Sequence, residues 1–159
     1  MGTNILKSVW LRNRLGVLLV GMSFMLPGTA MAAMEFLSIA DNAVIMYNAP
    51  SLRADKLFVA SRYLPVEVVV NVEDWVKVRD SGGSLAWVEK KSLSTQRYVI
   101  VTVPLADIYQ SADINAQRLF QAEENIVMEW LDSDVVGWVK VRHRDGQMGY
   151  VKVSQVWGS

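Results

Sequence analysis

An internal repeat constrains the fold of this chain more than any other feature of its sequence. Tyr47 aligns with Tyr109 at a shift of 62 residues, and the apolar residues that follow align at the same shift. After a one-residue insertion, Trp75–Arg79 aligns at a shift of 63 with Trp138–Arg142, and all five residues are identical. Such a run, with aligned partners on both sides, indicates a duplication. Whatever fold one copy adopts, we expect the other to adopt as well.

The hydrophobic pattern of each copy indicates β-structure. Valine occupies every second position of the stretch from 66 to 70, which is the period of a strand with one buried face. The segment Trp75–Arg79 places Val76 and Val78 on one face, and its tryptophan and basic side chains on the other. Helical periodicity never extends beyond one turn. The pattern therefore predicts an all-β fold for both copies.

Turn residues join the predicted strands into a hairpin in each copy. Residues 80–83 and 143–146 are polar and end in glycine, which accepts the positive φ that tight hairpin turns require. Apolar residues then return at 85–88 and at 148–151. Each copy is therefore expected to contain this hairpin beside the valine-rich strand.

The two copies define the predicted domain organisation. A leading strand opens the first copy at 36–40 and the second at 98–103. The first domain is predicted to span 36–95 and the second 98–159. Because only a short polar stretch separates them, we expect the two copies to pack together.

The N-terminal segment has the three parts of a secretory signal peptide. Its basic residues come first: Lys7, Arg12 and Arg14. An apolar run at 15–26 follows, and the small residues Ala30 and Ala32 fit a signal peptidase site. We therefore predict a Sec-type signal peptide at 1–32, cleaved after Ala32, and a periplasmic or secreted mature protein.

A retained membrane anchor is the alternative interpretation of this segment. The apolar run has 12 residues, which as a helix reach about 18 Å, whereas a hydrocarbon core is about 30 Å thick. Removal of the segment leaves 13 basic and 16 acidic residues, a net charge of −3. The mature chain is thus expected to have no stable membrane anchor and no basic surplus for nucleic acid.

Composition argues against an enzyme. The chain has no cysteine and one histidine, His143, which aligns with Asp80 of the first copy and is therefore not required by the repeat. A lone histidine without a cysteine or a second histidine has no partner to orient it as a general base. The acidic pairs lie in polar stretches predicted to be solvated turns. We accordingly predict no catalytic residues, no metal site and no cofactor.

The repeated motif resembles a known family. The order Trp-x-Lys-Val-Arg, a glycine turn and then [Ala/Gly]-[Trp/Tyr]-Val is similar to bacterial Src-homology-3 domains of exported proteins. The resemblance covers roughly 41–94 and 103–158, and it implies a small five-stranded barrel in each copy. Two features depart from the family pattern. The early Arg-x-Gly-Pro motif is replaced in both copies, and a glycine is missing at Arg62 and Tyr63.

Aromatic residues are the main candidates for ligand binding. The resemblance places Val78 and Val88 in the core, which directs one aromatic set per copy to the opposite face, where the wider family binds peptides. The candidate residues are Tyr47, Trp75, Trp87, Tyr109, Trp138 and Tyr150. Alternatively, these rings close the barrel ends or the seam between copies, and the hairpin turn leaves the face of Trp87 open. Trp130, which replaces Val68, is expected in the core or the seam.

Two functions follow from these features. The first is a non-catalytic, exported binding module that recognises cell-wall peptide or glycan, or an extended peptide of an envelope protein. The second is a structural adaptor without an aromatic groove, in which sheet edges and the seam hold a partner protein.

Overall fold

The alternating valines of both copies lie in antiparallel β-sheets. The computed structural model describes residues 34–159. The predicted signal peptide and its cleavage site after Ala32 lie outside the described residues.

The first copy forms one sheet and a short 3-10 helix at Lys90–Ser92. Its seven strands are β1 (Phe36–Ile39), β2 (Val44–Tyr47), β3 (Lys56–Ala60), β4 (Pro65–Val72), β5 (Trp75–Arg79), β6 (Leu85–Glu89) and β7 (Leu93–Ser94).

The second copy repeats this plan, with its 3-10 helix at Val153–Gln155. Its strands are β8 (Tyr98–Val101), β9 (Leu105–Tyr109), β10 (Arg118–Glu123), β11 (Val127–Asp132), β12 (Trp138–Arg142), β13 (Met148–Lys152) and β14 (Val156–Trp157).

Both sheets have the same strand order, so the duplication of the fold is confirmed. The order is β3-β2-β6-β5-β4-β1-β7 in the first copy and β10-β9-β13-β12-β11-β8-β14 in the second. Each sheet has seven strands, where the family resemblance implied five. The count is higher because the chain after β2 returns as β3, and because β1 pairs with both β4 and the two-residue β7.

Irregularities in strand pairing are duplicated too. Pairing of β4 with β5 shifts register between Val68 and Val70, and pairing of β11 with β12 shifts at the aligned Trp130 and Asp132. A bulge in one strand increases local twist and bends the sheet. The shared bulges therefore give the two sheets the same curvature.

The predicted facing of the central hairpin is confirmed in both copies. Val76 and Val78 are buried, and so are the aligned Val139 and Val141. Valine packs well on a pleated, half-buried surface because its branched side chain is stiff. Larger apolar side chains complete the two separate cores: Ile39 and Met46 in the first, Ile108 and Met128 in the second.

Backbone conformation at the turns shows the consequence of one departure from the family pattern, the missing glycine at Tyr63. Gly83 and Gly146 have φ values of 86° and 92°, as the hairpin turns require. Tyr63 and the aligned Asn125 also have positive φ values, 72° and 67°. Glycine is the residue that adopts this conformation at least cost, and its absence at Tyr63 leaves a bulky side chain in a strained backbone.

The two copies meet along a seam built from their first and last strands. The rings of Phe36 and Trp157 pack edge to face, with centroids 5.0 Å apart. Arg97, in the linker, donates a hydrogen bond from Nη2 to the Gly158 carbonyl at 2.8 Å. Gly158 of the second copy lies so close to the first that an added Cβ would be 3.0 Å from Cβ of Pro65. The expectation that the copies pack together is thus confirmed.

Candidate functional site

The first copy brings its three candidate aromatic residues together on the outer face of the sheet. Lys77 on β5 lies opposite Trp87 on β6, and Tyr47 at the end of β2 lies opposite Trp87 on its other side. Residues directly opposite one another project from the same face. The Tyr47 and Trp75 rings pack edge to face at 5.5 Å. The pairing therefore shows which face of the sheet Trp87 occupies: it shares the outer face with Trp75.

The second copy repeats the arrangement. Tyr150 on β13 lies opposite both Lys140 and Tyr109. The rings of Tyr109 and Trp138 pack edge to face at 5.6 Å, with 89° between their planes. We call each set of three an aromatic platform: Tyr47, Trp75 and Trp87 in the first copy, and Tyr109, Trp138 and Tyr150 in the second.

The members of a platform differ in exposure. Tyr47 and Tyr109 retain only 6% and 9% of their accessible surface, so they form the floor. The other four rings are half-buried. A lysine ammonium lies 6.0 Å from the Trp87 centroid and, in the second copy, 5.9 Å from that of Tyr150. Each platform therefore offers an aromatic surface with a cation beside it.

The rims of the platforms carry opposite charges. Glu89 lies opposite Trp75, whereas the aligned Lys152 lies opposite Trp138. Glu89 pairs with Lys91 at 2.9 Å and thereby raises the pKa of that ammonium group. A depression of about 260 Å³ lies against Tyr47 and Glu89, and Asp41 also lines it. The first platform is thus bordered by carboxylates, and the second by an additional ammonium.

None of the six platform residues takes part in the aromatic contacts of the seam. Those contacts join Phe36 to Trp157 and Tyr63 to Tyr98, whose rings stack at 4.6 Å. The sequence reasoning did not place these residues in the seam. A signal was nevertheless present, because Tyr63 aligns with a polar residue of the second copy and Trp157 with a polar residue of the first.

Trp130 lies against the second core beside the seam, as expected. The Arg97 guanidinium lies 4.4 Å from the centroid of its indole ring, and the Trp130 amide donates to the Arg97 carbonyl at 3.0 Å. Burial lowers the pKa of Arg97. Arg97 thus connects the linker, the second core and the last strand.

His143 has a structural contact in its turn. Its Nδ1 lies 3.0 Å from an oxygen of Asp145. Asp145 also accepts the Gln147 backbone N–H at 2.9 Å, and this bond, followed by the contact with His143, lowers the pKa of the carboxyl group. In the first copy, Asp80 holds the turn by accepting from the amides of Gly82 and Ser84. Within residues 34–159, no cluster of three or more histidine or acidic residues is arranged to hold a metal ion.

Membrane-spanning helices are absent from residues 34–159, since none there has the length and apolar character needed to cross a bilayer.

Comparison with protein families identifies the repeats. Residues 40–95 and 103–158 each match the bacterial SH3 domain family, one match on each sheet. The chain belongs to this family. A comparison with curated proteins finds no match.

Comparison with solved structures finds partial matches at low identity. NlpC2 from Trichomonas vaginalis is 18% identical with a TM-score of 0.38, and the alignment covers 80% of this chain and 49% of that one. NlpC1 from the same organism is 17% identical with a TM-score of 0.38, covering 82% and 48%. An NlpC/P60 family protein from Bacillus cereus ATCC 10987 is 20% identical with a TM-score of 0.33, covering 76% and 55%. The chain therefore spans about half the length of these proteins.

Proposed function

We propose that this tandem bacterial SH3 protein is a non-catalytic, exported binding module of the cell envelope. Its ligand is cell-wall peptide or glycan, or an extended peptide of an envelope protein. The observation that carries the proposal is the duplication of the aromatic platform. Both copies keep an edge-to-face pair of rings at 5.5 and 5.6 Å on the outer face, outside the two core clusters.

The chemistry of the platforms suits this class of ligand. Flat aromatic faces offer a large contact area with few rotatable bonds, so little side-chain entropy is lost when a sugar ring or an extended peptide packs on them. The adjacent lysines, Lys77 and Lys140, provide donors for ligand carboxylates or carbonyl oxygens. Two platforms in one rigidly packed chain also permit binding at two points of a polymer, which raises the overall affinity.

Export is part of the proposal and is supported by the N-terminal sequence. A basic start, a short apolar run and small residues at Ala30 and Ala32 are typical of a cleaved signal peptide. Mass spectrometry of the N-terminus of protein recovered from the periplasm tests this part. We expect the mature chain to begin at Ala33, and an unprocessed chain in the cytoplasm would contradict it.

Sedimentation with purified sacculi tests the ligand. Trp75→Ala and Trp138→Ala should each weaken binding roughly five- to thirtyfold, because each removes a half-buried ring from its platform. The matched controls are Leu85→Ala and Met148→Ala, which are exposed on the same hairpins. Wild-type protein that fails to sediment at low salt would exclude the cell-wall ligand and leave the envelope peptide. Equal losses from the tryptophan and control variants would contradict a platform role.

An adaptor function is the second candidate, and one strand favours it. β3 lies at the end of the first sheet, where β2 is its one hydrogen-bonded neighbour. Three of its apolar residues are exposed: Leu57, Phe58 and Val59. An exposed edge of this kind accepts an extended strand of another protein.

Fluorescence quenching distinguishes the two candidates. In the binding module, iodide should quench part of the tryptophan emission, and Trp75→Ala with Trp138→Ala should reduce the quenched fraction. In the adaptor, quenching should be unaffected by these changes, and Val59→Lys should abolish partner binding because it places a charge on the edge strand.

A further inference from the structure

A groove of about 640 Å³ lies at the seam between the two repeats. Tyr63 lines it from the first repeat, and strands β8, β11 and the β12–β13 turn line it from the second. Its size falls in the range of pockets that bind small ligands or a few residues of peptide. It is separate from the aromatic platforms, since none of their residues lines it.

The walls of the groove are held in place by the seam. The Ser38 hydroxyl of the first repeat donates to the Gln96 carbonyl of the linker at 2.6 Å. Gln96 in turn donates from its side chain to Glu129, on the groove wall, at 2.8 Å. These bonds connect both repeats to one side of the groove. The groove is therefore preformed, which reduces the ordering cost of binding.

Tyr63, which forms an aromatic wall of the groove, has a backbone conformation that its residue type disfavours. Tyr63 has a φ of 72° and keeps 40% of its surface exposed, so core packing does not account for its bulk. The aligned Asn125 has the same conformation and belongs to a residue type that tolerates it well. Strained residues of this kind concentrate at ligand sites. The Tyr63 ring stacks on Tyr98 at 4.6 Å and completes the wall.

Basic groups surround this wall. The Arg62 guanidinium lies 4.8 Å from the Tyr63 centroid, and Arg144 lines the groove itself. Within residues 34–159, neither arginine has a carboxylate oxygen within 4.0 Å. Arg142 is already paired with Glu129 at 3.3 Å. The Arg144 guanidinium on the groove wall is thus available to an anion, and Arg62 lies beside the Tyr63 ring.

We propose that the seam groove binds the free carboxyl end of a short peptide. The carboxylate pairs with Arg144, and the last side chains of the peptide pack on Tyr63 and Tyr98. A guanidinium fork matches the two oxygens of a carboxylate, which favours this anion. This site operates independently of the aromatic platforms.

Titration of the mature chain by two-dimensional NMR tests the site. The probe is N-acetyl-Ala-Ala-Ala with a free carboxyl end, and its C-terminal amide is the matched control ligand. We expect the acid to shift the amide signals of Tyr98, Ile126 and Arg144, with roughly tenfold weaker binding of the amide form. Equal shifts with both peptides, or no shifts at about 10 mM acid, would overturn the proposal.

Variants test whether the peptide binds in the groove or on the platforms. Arg144→Gln should weaken binding of the acid about tenfold, whereas Arg53→Gln, on an exposed loop that does not line the groove, should leave it unchanged. Tyr63→Asn introduces the residue that the second repeat uses at this position, so it preserves the fold and removes the wall. It should weaken binding and leave the wild-type spectrum otherwise intact. Shifts confined to the strands of Trp75 and Trp138 would overturn the groove while supporting the platforms.

Discussion

The two repeats share a scaffold and differ on their outer surfaces. On the β2–β3 pair of the first repeat, Ile45 lies opposite Val59, which is 60% exposed. At the aligned positions of the second repeat, Asp107 lies opposite Gln121 and accepts its side-chain amide at 2.8 Å. The strand order is nevertheless identical in both repeats. The core and the bulges therefore determine the barrel, while the outer face is free to change from apolar to polar.

This comparison also assigns different roles to the repeats. An apolar edge strand and a carboxylate-bordered platform distinguish the first repeat. Gln121 in place of Val59 on the edge strand, and Lys152 beside the platform, distinguish the second. Aligned substitutions, one in each repeat, show which properties belong to the shared scaffold and which to one repeat alone.

Core truncation should have the largest effect. Met46→Ala and the aligned Ile108→Ala each remove a fully buried side chain, and each should lower the free energy of unfolding by about 2–5 kcal/mol. Urea unfolding followed by tryptophan fluorescence measures this. Because the seam joins the repeats, we expect one shared transition in both variants. Two separate transitions would show that each repeat unfolds alone.

A methyl group added at Gly149 should have the next largest effect. Its Cβ would lie 2.4 Å from Cγ2 of Ile108 and 2.8 Å from the Tyr109 carbonyl oxygen, so Gly149→Ala should cost about 1–3 kcal/mol. The aligned residue is Ala86, and Ala86→Gly serves as the comparison. It should cost about 0.5–1 kcal/mol through chain entropy. Thermal unfolding that ranks the two variants in reverse would contradict the account of close packing at β13.

Removal of the outer ion pairs should have a smaller effect. Arg79 pairs with Glu67 at 3.0 Å, and the aligned Arg142 pairs with Glu129 at 3.3 Å. Exposed pairs of this kind contribute little because water and salt screen them. Arg79→Ala and Arg142→Ala should each cost about 0.5 kcal/mol or less by urea unfolding. A loss comparable to that of Met46→Ala would mean that this face is not solvated.

The smallest effect concerns the pH dependence of the β12–β13 turn. The Gln147 amide and His143 hold the pKa of Asp145 below its ordinary value. A carboxyl group with a depressed pKa stabilises the fold above its unfolded pKa, and this contribution is lost as pH falls through the folded pKa. NMR titration should detect the low pKa, and Asp145→Asn should remove the corresponding step from the stability profile. An ordinary pKa for Asp145 would contradict the turn geometry.

The sequence was sufficient to predict the all-β fold, the duplication and the facing of the central hairpin. These follow from local periodicity, and the five identical residues of Trp75–Arg79 and Trp138–Arg142 fix the alignment. Strands β2 and β3 were not predicted, because neither alternates: the apolar residues of β2 are mostly buried and those of β3 are mostly exposed. The two-residue strands β7 and β14 are too short to produce a pattern.

Grouping of the platform residues was also predicted, by family resemblance and hairpin periodicity together. The seam groove was not. Its wall combines Tyr63 and Tyr98, which lie in different repeats, and their stacking depends on how the barrels pack. The bulk of Tyr63 at a position where the aligned residue is Asn125 was the only local sign. Contacts between barrels depend on surface residues, which local patterns do not constrain.

The seam also bears on the order in which the chain matures. Phe36 packs on Trp157, so a ring at the start of the first barrel is covered by one at the end of the second. In the proposed export, the N-terminal repeat crosses the membrane before the second, and domains generally fold as units. The Phe36 ring of the first barrel therefore stays uncovered until the last strand of the second barrel has folded against it. A chaperone that binds exposed apolar surface would bind the first barrel at this ring.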